Sequence, residues 1–282
     1  MNCNFFEKKS VWHGETEILA NFPTAEKTYR LRFRAPELVS LMQPGQFVML
    51  RLSDTNDPLL GRPLAAYQAD ADAGTIDVVY LAVGKMTERL SRLSAGTPLQ
   101  VWGPLGNGFR LPHADHLIMI AGGIGQTPFY TLAEESLGLR TFSRKNVAAR
   151  KVSLLLGAKN KNRLACLDDF RQLGVNVQIA TDDGSEGVRG VATGLIASTI
   201  RESNLPEVVL ACCGPRPMLL AAFDVAKSLG NIPCYVSLES PMACGLGVCF
   251  SCVVKYRDEN GVADDVRTCT EGPVFDAYRL AW

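Results

Sequence analysis

Cys244, Cys249, Cys252 and Cys269 are spaced C-x4-C-x2-C-x16-C near the C-terminal end of the chain. Soft thiolates suit iron, and this spacing is the ligand pattern of a plant-type [2Fe–2S] cluster, which moves one electron at a time. Three of the four cysteines fall within nine residues, so one tight loop can wrap the cluster. Gly245 and Gly247 lack a Cβ and can take φ > 0, turning backbone N–H groups towards sulfur, where hydrogen bonds help set the potential. The residues between the ligands are small or apolar and keep water away. Tyr256 to Arg267 reads as a polar hairpin with Glu259-Asn260-Gly261 at its tip, leading to Cys269. The alternatives are a structural zinc site, which usually takes two short cysteine pairs, and four unliganded core cysteines.

A second set of segments points to phosphates. Ile120-Ala-Gly-Gly-Ile-Gly-Gln-Thr-Pro128 follows an apolar run and opens a helical pattern. Gly122, Gly123 and Gly125 allow a tight turn, and free N–H groups at a helix start favour phosphate. The segment is not G-x-G-x-x-G, which disfavours an ordinary dehydrogenase; alone it is a weak signal that a purely structural turn also explains. Cys213-Gly-Pro-Arg-Pro-Met218 and Thr181-Asp-Asp-Gly-Ser185 also follow apolar strands. Ligands of open parallel sheets bind beyond the carboxyl ends of strands, so three such segments on one edge outweigh any one of them. Asp182-Asp183-Gly184 alone reads equally as a solvated turn. Earlier in the chain stand Arg62-Pro-Leu-Ala65 and Val83-Gly-Lys-Met-Thr-Glu-Arg-Leu90. Arg62 can pair with a diphosphate. Thr87 is expected to N-cap a helix facing the same phosphates. In isolation the two read equally as a surface charge and an ordinary cap.

The elements that must position these residues change character along the chain. Up to about residue 111 short apolar or alternating runs recur: Thr28–Arg34, Gln46–Leu52, Thr75–Val83 and Leu99–Trp102. Turn residues separate them, which predicts a small antiparallel barrel interrupted by one helix over Thr87–Ser94. After Pro112 the apolar strands Leu117–Ile120, Lys151–Gly157, Val175–Ala180, Val208–Cys212 and Cys234–Leu238 alternate with helical stretches. That alternation predicts a parallel sheet covered on both faces. The expected fold class is multi-domain, α+β and α/β: an N-terminal antiparallel β-barrel over 1–112, a central α/β parallel-sheet nucleotide domain over 113–239, and a small C-terminal [2Fe–2S] module over 240–282.

Composition narrows the partners. A chain of 282 residues holds two domains and a small third, and 47% apolar content supplies full cores. Zero net charge gives no reason to expect nucleic acid or a membrane surface as partner. Cys3, Cys166, Cys212, Cys213 and Cys234 are scattered without a disulfide-like spacing, as in a reducing cytoplasm. The N-terminus lacks a basic start followed by an apolar stretch, so no signal peptide is expected. Leu117 to Ile124 is too short to span a bilayer. His113-x2-His116 lacks a third ligand nearby, and neither these two nor His13 is expected to bind metal.

Taken in order, the segments resemble the ferredoxin-reductase superfamily. Arg62-Pro-Leu-Ala65 is similar to its first flavin motif and Gly84-Lys-Met-Thr87 to its flavin diphosphate motif. Gly122-Gly-Ile-Gly-Gln-Thr-Pro128 and Cys213-Gly-Pro-Arg-Pro-Met218 are similar to its nicotinamide-side motifs. The appended cluster segment, Leu238-Glu239 to Cys252, narrows the resemblance to the electron-transfer subunits of dihydroorotate dehydrogenase B. The likeness runs from about Phe5 to Phe275. It implies bound FAD and [2Fe–2S], with NAD as substrate. It also implies that Arg62 holds the FAD diphosphate, that Pro63, Leu64 and Ala65 line the isoalloxazine, and that Gly84, Lys85, Met86 and Thr87 form the opposite diphosphate loop. Gly122, Gly123, Gly125 and Thr127 would shape the nicotinamide site, with Gly214 and Pro215 beside it and Cys213 at the reacting ring. Two positions depart from the pattern: Ala65 stands where the family often has Ser or Thr, and Met86 where it usually has Gly. Lys159, Lys161 and Arg163 read as a solvated basic loop, so NAD rather than NADP rests on the resemblance alone.

Hydride carries two electrons and the cluster one; a flavin converts between them. No acid–base site for an organic substrate is recognisable, so the substrate is expected to be oxidised on another subunit. The resemblance makes that an FMN-containing dihydroorotate dehydrogenase of pyrimidine biosynthesis, in a heterotetramer with two copies of each subunit. Electrons would enter through the cluster, pass to FAD and leave as hydride to NAD⁺. A rim of Met242, Leu246 and Phe250 is the expected docking face, with Phe250 reading equally as a core residue. The alternatives are the flavin–cluster subunit of a sulfide dehydrogenase, a ferredoxin:NADP oxidoreductase or a hydrogenase, and a non-catalytic regulatory subunit with a degraded flavin site.

Overall fold

A computed structural model of the protein describes residues 11–142, 144 and 148–282. Cys3 and the stretch read for a signal peptide lie outside the described residues. Six antiparallel strands form the first body: β1 (Trp12–Ala25), β2 (Thr28–Arg34), β3 (Phe47–Leu52), β4 (Arg62–Asp70), β5 (Thr75–Leu81) and β6 (Pro98–Leu105). They close in the order β1-β2-β5-β4-β3-β6, with β1 paired to β6. Alternation drives the closure. In β2, Leu31 and Phe33 are buried while Arg32 and Arg34 face out, as period-two patterning requires. The expected barrel is therefore present, with two strands the sequence patterns did not reveal, β1 and β4. A short helix, α1 (Pro36–Val39), follows β2. The expected helix begins earlier and stops sooner, as α2 (Lys85–Leu90), and its Met86 and Leu90 pack into the barrel core.

The second body alternates strand and helix: β7 (His116–Gly122), α3 (Tyr130–Ser136), β8 (Lys151–Ala158), α4 (Leu167–Gln172), β9 (Asn176–Thr181), β10 (Val188–Arg189), α5 (Ile196–Ser203), β11 (Val208–Cys213), α6 (Arg216–Ser228) and β12 (Cys234–Ser237). The strands are parallel and ordered β10-β9-β8-β7-β11-β12. Both faces are covered. Leu117, Met119 and Ala121 of β7 join a core with α3 and α4, while Ile118 and Ile120 join another with α5 and α6.

The C-terminal segment carries the hairpin β13 (Val253–Arg257) and β14 (Ala263–Arg267), then β15 (Val274–Asp276). β15 pairs antiparallel with β12 and becomes the edge of the large sheet, so it crosses the expected division at residue 240. Barrel and sheet are joined by a charged cluster. Arg30 of β2 reaches Asp77 of β5 at 2.5 Å and Asp169 of α4 at 2.9 Å. The Tyr67 hydroxyl donates to Asp169 at 2.8 Å, and the Tyr67 and Tyr130 rings stack across the joint. Buried Asp77 also accepts from Arg32, so its charge is compensated twice.

Candidate functional site

Where barrel, sheet and C-terminal segment meet, a cleft of about 400 Å³ opens. β4 supplies Arg62, Pro63, Leu64 and Ala65. The 3-10 turn Gly123–Phe129 supplies Thr127, β11 ends in it at Cys213, and Glu239 and Met242 close it from beyond β12. Arg62 donates only to its own loop, to the carbonyls of Leu60 and Gly61 at 3.0 and 3.1 Å, and no carboxylate among the described residues is paired with it. Its charge is thus available to an anion. Burial pushes the Cys213 thiol up to about 12, with the Glu239 charge adding to the effect. Glu239 is itself a weakened acid because surrounding protein desolvates it.

Thr87 reaches this cleft, but not as an N-cap. Gly84 is the N-cap of α2, and Thr87 stands at the third helical position. Its hydroxyl accepts from the N–H groups of Val83 and Gly84 at 3.2 Å each, the reciprocal half of a capping box. A cap residue needs extended backbone, and Thr87 is already within the helix. Gly84, Lys85 and Met86 do not form the cleft wall. Met86 points into the barrel core, so its bulk takes no room from the loop, and Lys85 pairs with Asp57 at 2.5 Å.

A second cleft, about 440 Å³, lies beyond the carboxyl ends of β7, β8, β9 and β11. Gly122, Gly123, Gly214 and Pro215 line it, with Lys159, Arg163 and Asp182 on the far wall. Ile124 and Glu239 line both clefts, which are therefore contiguous. Glycine is required here by close approach. A Cβ on Gly125 would stand 2.1 Å from the Cys213 carbonyl oxygen, and one on Gly122 would meet Met218 and Pro215 at 2.8 Å. Gly125 accordingly seats the turn against β11 without facing either cleft. The basic loop divides: Lys159 and Arg163 face the cleft and Lys161 does not.

Two of the four spaced cysteines lie behind the wall of the first cleft. Cys252 and Cys269 are 2% and 1% exposed, in a core with Phe47, Met49 and Leu105 of the barrel, whereas Cys249 is exposed. Met242 packs on this core and, like Phe47, also lines the first cleft. Phe47 and Met242 thus stand between the cleft and Cys252 and Cys269. Trp102 of β6 donates its indole N–H to the Cys244 carbonyl at 2.9 Å. A Cβ on Gly245, which has φ 72°, would meet Met49 and Leu105 within 2.9 Å, so only glycine lets the loop lie on the barrel. The Leu246 N–H points at the Cys244 sulfur at 3.3 Å.

Cys252 and Cys269 share the buried core, while Cys244 and Cys249 lie outside it. Among the described residues no three His, Cys, Asp or Glu side chains converge to hold a metal ion. Thiolates divided two and two suit a binuclear cluster with two on each iron. Hydrogen bonds from Ser251 lower the Cys249 thiol to about 6, while burial and Cys252 raise that of Cys269 to about 12. His113 and His116 are not brought together: His113 lies 3.4 Å from Glu207, and buried His116 bonds Ser153 at 2.8 Å. The sequence patterns missed Phe47, Trp102 and Glu239. Only Glu239 had a signal, since it follows a strand at the ligand-binding edge of the sheet.

Comparison with known proteins gives three family-model matches. Residues 20–110 match an oxidoreductase FAD-binding domain and 119–223 an oxidoreductase NAD-binding domain. Residues 239–281 match the iron-sulfur cluster binding domain of dihydroorotate dehydrogenase B. The dihydroorotate dehydrogenase B (NAD(+)) electron transfer subunit of Desulforamulus reducens is 35% identical over 95% of this chain and 98% of its own length. That of Bacillus caldolyticus is 37% identical over 90% and 92%. Among solved structures, the NADH-dependent reduced ferredoxin-NADP oxidoreductase is similar with TM-score 0.78 and 26% identity, covering 95% of this chain and 90% of that one. The ferredoxin reductase of carbazole 1,9a-dioxygenase shares the fold with TM-score 0.64, at 20% identity over 81% and 68%.

Proposed function

The chain belongs to the electron-transfer subunits of dihydroorotate dehydrogenase B, and on that footing we propose that its two clefts and its cysteine loop form one path between a catalytic partner and NAD. The observation that carries this reading is the shared wall: Phe47 and Met242 touch both the flavin-side cleft and the core around Cys252 and Cys269. FAD, when bound, supplies the conversion between a hydride pair and single electrons. The chain's own residues hold it. Arg62 offers an uncompensated charge to the diphosphate, Pro63, Leu64 and Ala65 line the ring, and Thr87 presents the first turn of α2, with Gly84, Lys85 and Met86 shaping that turn from behind.

The second cleft takes the nicotinamide cofactor. Gly122, Gly123, Gly214 and Pro215 leave room for close approach, and Gly125 and Thr127 hold the turn in place. Cys213 keeps its proton at Sγ and excludes water beside the reacting ring. Asp182 can accept from a ribose hydroxyl while Lys159 and Arg163 on the same wall suit a phosphate, so NAD as the acceptor rests on the family. Cys244, Cys249, Cys252 and Cys269 hold the [2Fe–2S] cluster. The partner is an FMN-containing dihydroorotate dehydrogenase of pyrimidine biosynthesis, in a cytoplasmic heterotetramer with two of each subunit. Among the described residues no helix is long and apolar enough to cross a membrane.

Likeness to the ferredoxin-NADP oxidoreductase favours a second reading, in which a ferredoxin is the electron partner. An anaerobic pull-down of the tagged chain from its host, with cofactor analysis, decides. Co-purification of a dihydroorotate dehydrogenase subunit with FMN, alongside FAD and iron on this chain, is the expected result. Another redox partner in its place would overturn the orotate assignment, and a preparation without FAD or iron would overturn the path itself.

A further inference from the structure

The ligand loop and the fourth cysteine are far apart in sequence, and two neighbouring side chains join them: Thr268 donates to the Cys252 carbonyl at 3.1 Å, and Arg267 reaches further into the loop. Arg267, the last residue of β14, donates from Nη1 to the Gly247 carbonyl at 3.0 Å, between Cys244 and Cys249. Its Nε and backbone N–H donate to Glu271 at 3.1 and 2.8 Å, and Nη2 bonds the other oxygen of the same carboxylate. Arg267 precedes Cys269 and Glu271 follows it, so the fork is anchored on both sides of that ligand. The guanidinium also lies 5.1 Å from the ring centroid of Phe250, which stands between Cys249 and Cys252. Phe250 has φ 56° and is 61% exposed. Left-handed backbone is costly for a bulky residue and persists where its surroundings over-determine it, and here the surroundings include the arginine face.

We propose that Arg267 is a positioning residue for the cluster, tying the three-cysteine loop to Cys269 and placing a permanent positive charge beside the sulfurs, so that it raises the reduction potential. The proposal rests on the assignment of these four cysteines to the cluster. Its physics is direct. An added electron is stabilised by a nearby cation, and fixing the Gly247 carbonyl fixes the run of amides that turn towards sulfur. Glu271 pairs the guanidinium on both oxygens and leaves Nη1 and the planar face for the loop, so without the arginine this carboxylate would stand unpaired two residues from Cys269. Lysine has no planar fork, so it would keep the charge and lose the two-sided grip.

The test is an EPR-monitored redox titration of the FAD-loaded chain with its partner, in wild type, Arg267→Gln and Arg267→Lys, together with iron release to a chelator. Arg267→Gln is expected to lower the midpoint potential and to release iron severalfold faster. Arg267→Lys is expected to restore most of the potential but not the retention. Wild-type potential in Arg267→Gln overturns the proposal, and so does faster iron loss with no change in potential. If the glutamine variant retains no cluster, the lysine variant decides: unaltered potential with unaltered iron retention overturns the proposal. Failure of the cluster assignment looks different, because the wild-type chain would then show no [2Fe–2S] signal and Cys252→Ser would leave its iron content unchanged.

Discussion

Single residues in this chain carry function through what they are left free to do. Arg62 spends its hydrogen bonds on two carbonyls of its own loop and meets no carboxylate, so its charge is uncompensated at the mouth of the first cleft. A charge-assisted contact to phosphate contributes about 2 kcal/mol, so Arg62→Ala should raise the Kd for FAD roughly thirtyfold, measured by flavin fluorescence on the reconstituted apoprotein. Thr87 shows the limit of reading residue by residue. Its hydroxyl was legible as a helix-start signal, but whether such a residue stands at the cap or at the third position depends on where the preceding strand lets go. Met86 was legible only as a departure from a pattern; its direction into the barrel core is fixed by the helix period and by Leu90 beside it.

Elements place these residues, and buried polar groups record how tightly. His116 opens β7, fully buried, with one ring nitrogen on Ser153 and the other without a partner among the described residues. Burial, with Lys151 adding to it, lowers its pKa from 6.5 to about 4. The unfolded chain therefore binds a proton that the native one refuses between about pH 6.5 and 4. The stabilisation is fully present above the unfolded pKa and is lost as pH falls through that window, at a cost of about 3 kcal/mol. The urea midpoint should decline over the same range in wild type and much less in His116→Gln. Sheet strands such as β7 and β11 were legible because they are uninterrupted apolar runs buried on both faces. β1 and β4 were not, because half-buried barrel strands mix charges and a proline into the alternation.

At the scale of the whole molecule, the cysteine spacing pointed to a ligand loop and the edge-of-sheet rule to the second cleft, while their mutual contact came only from the fold. Phe47 and Trp102 lie on barrel strands far from the cysteines in sequence, and no local pattern marks them as neighbours of the ligand loop. The expected docking rim shifts for the same reason. Met242 packs inward, and the exposed apolar residues around Cys249 are Leu246, Val248 and Phe250, with Val248 77% exposed. An aspartate in an apolar interface leaves an unpaired polar group to desolvate at about 2 kcal/mol, so Leu246→Asp or Val248→Asp should weaken association with the catalytic subunit roughly thirtyfold in Kd while FAD stays bound, as read by analytical ultracentrifugation. Normal association in both variants would move the docking face elsewhere.

The pairing of β15 with β12 has a bearing on how such chains can be recombined. Val236 faces Phe275 and Ser237 faces Val274 across that edge, so the stretch after the cluster is stitched into a sheet whose other strands were laid down much earlier in the chain. A crossover at the start of the cysteine loop would graft a foreign strand onto a native partner with which it had never been matched. A chimaera joined at Ser240 should therefore unfold at lower urea than either parent, and restoring the native residues at 274–276 should recover the midpoint.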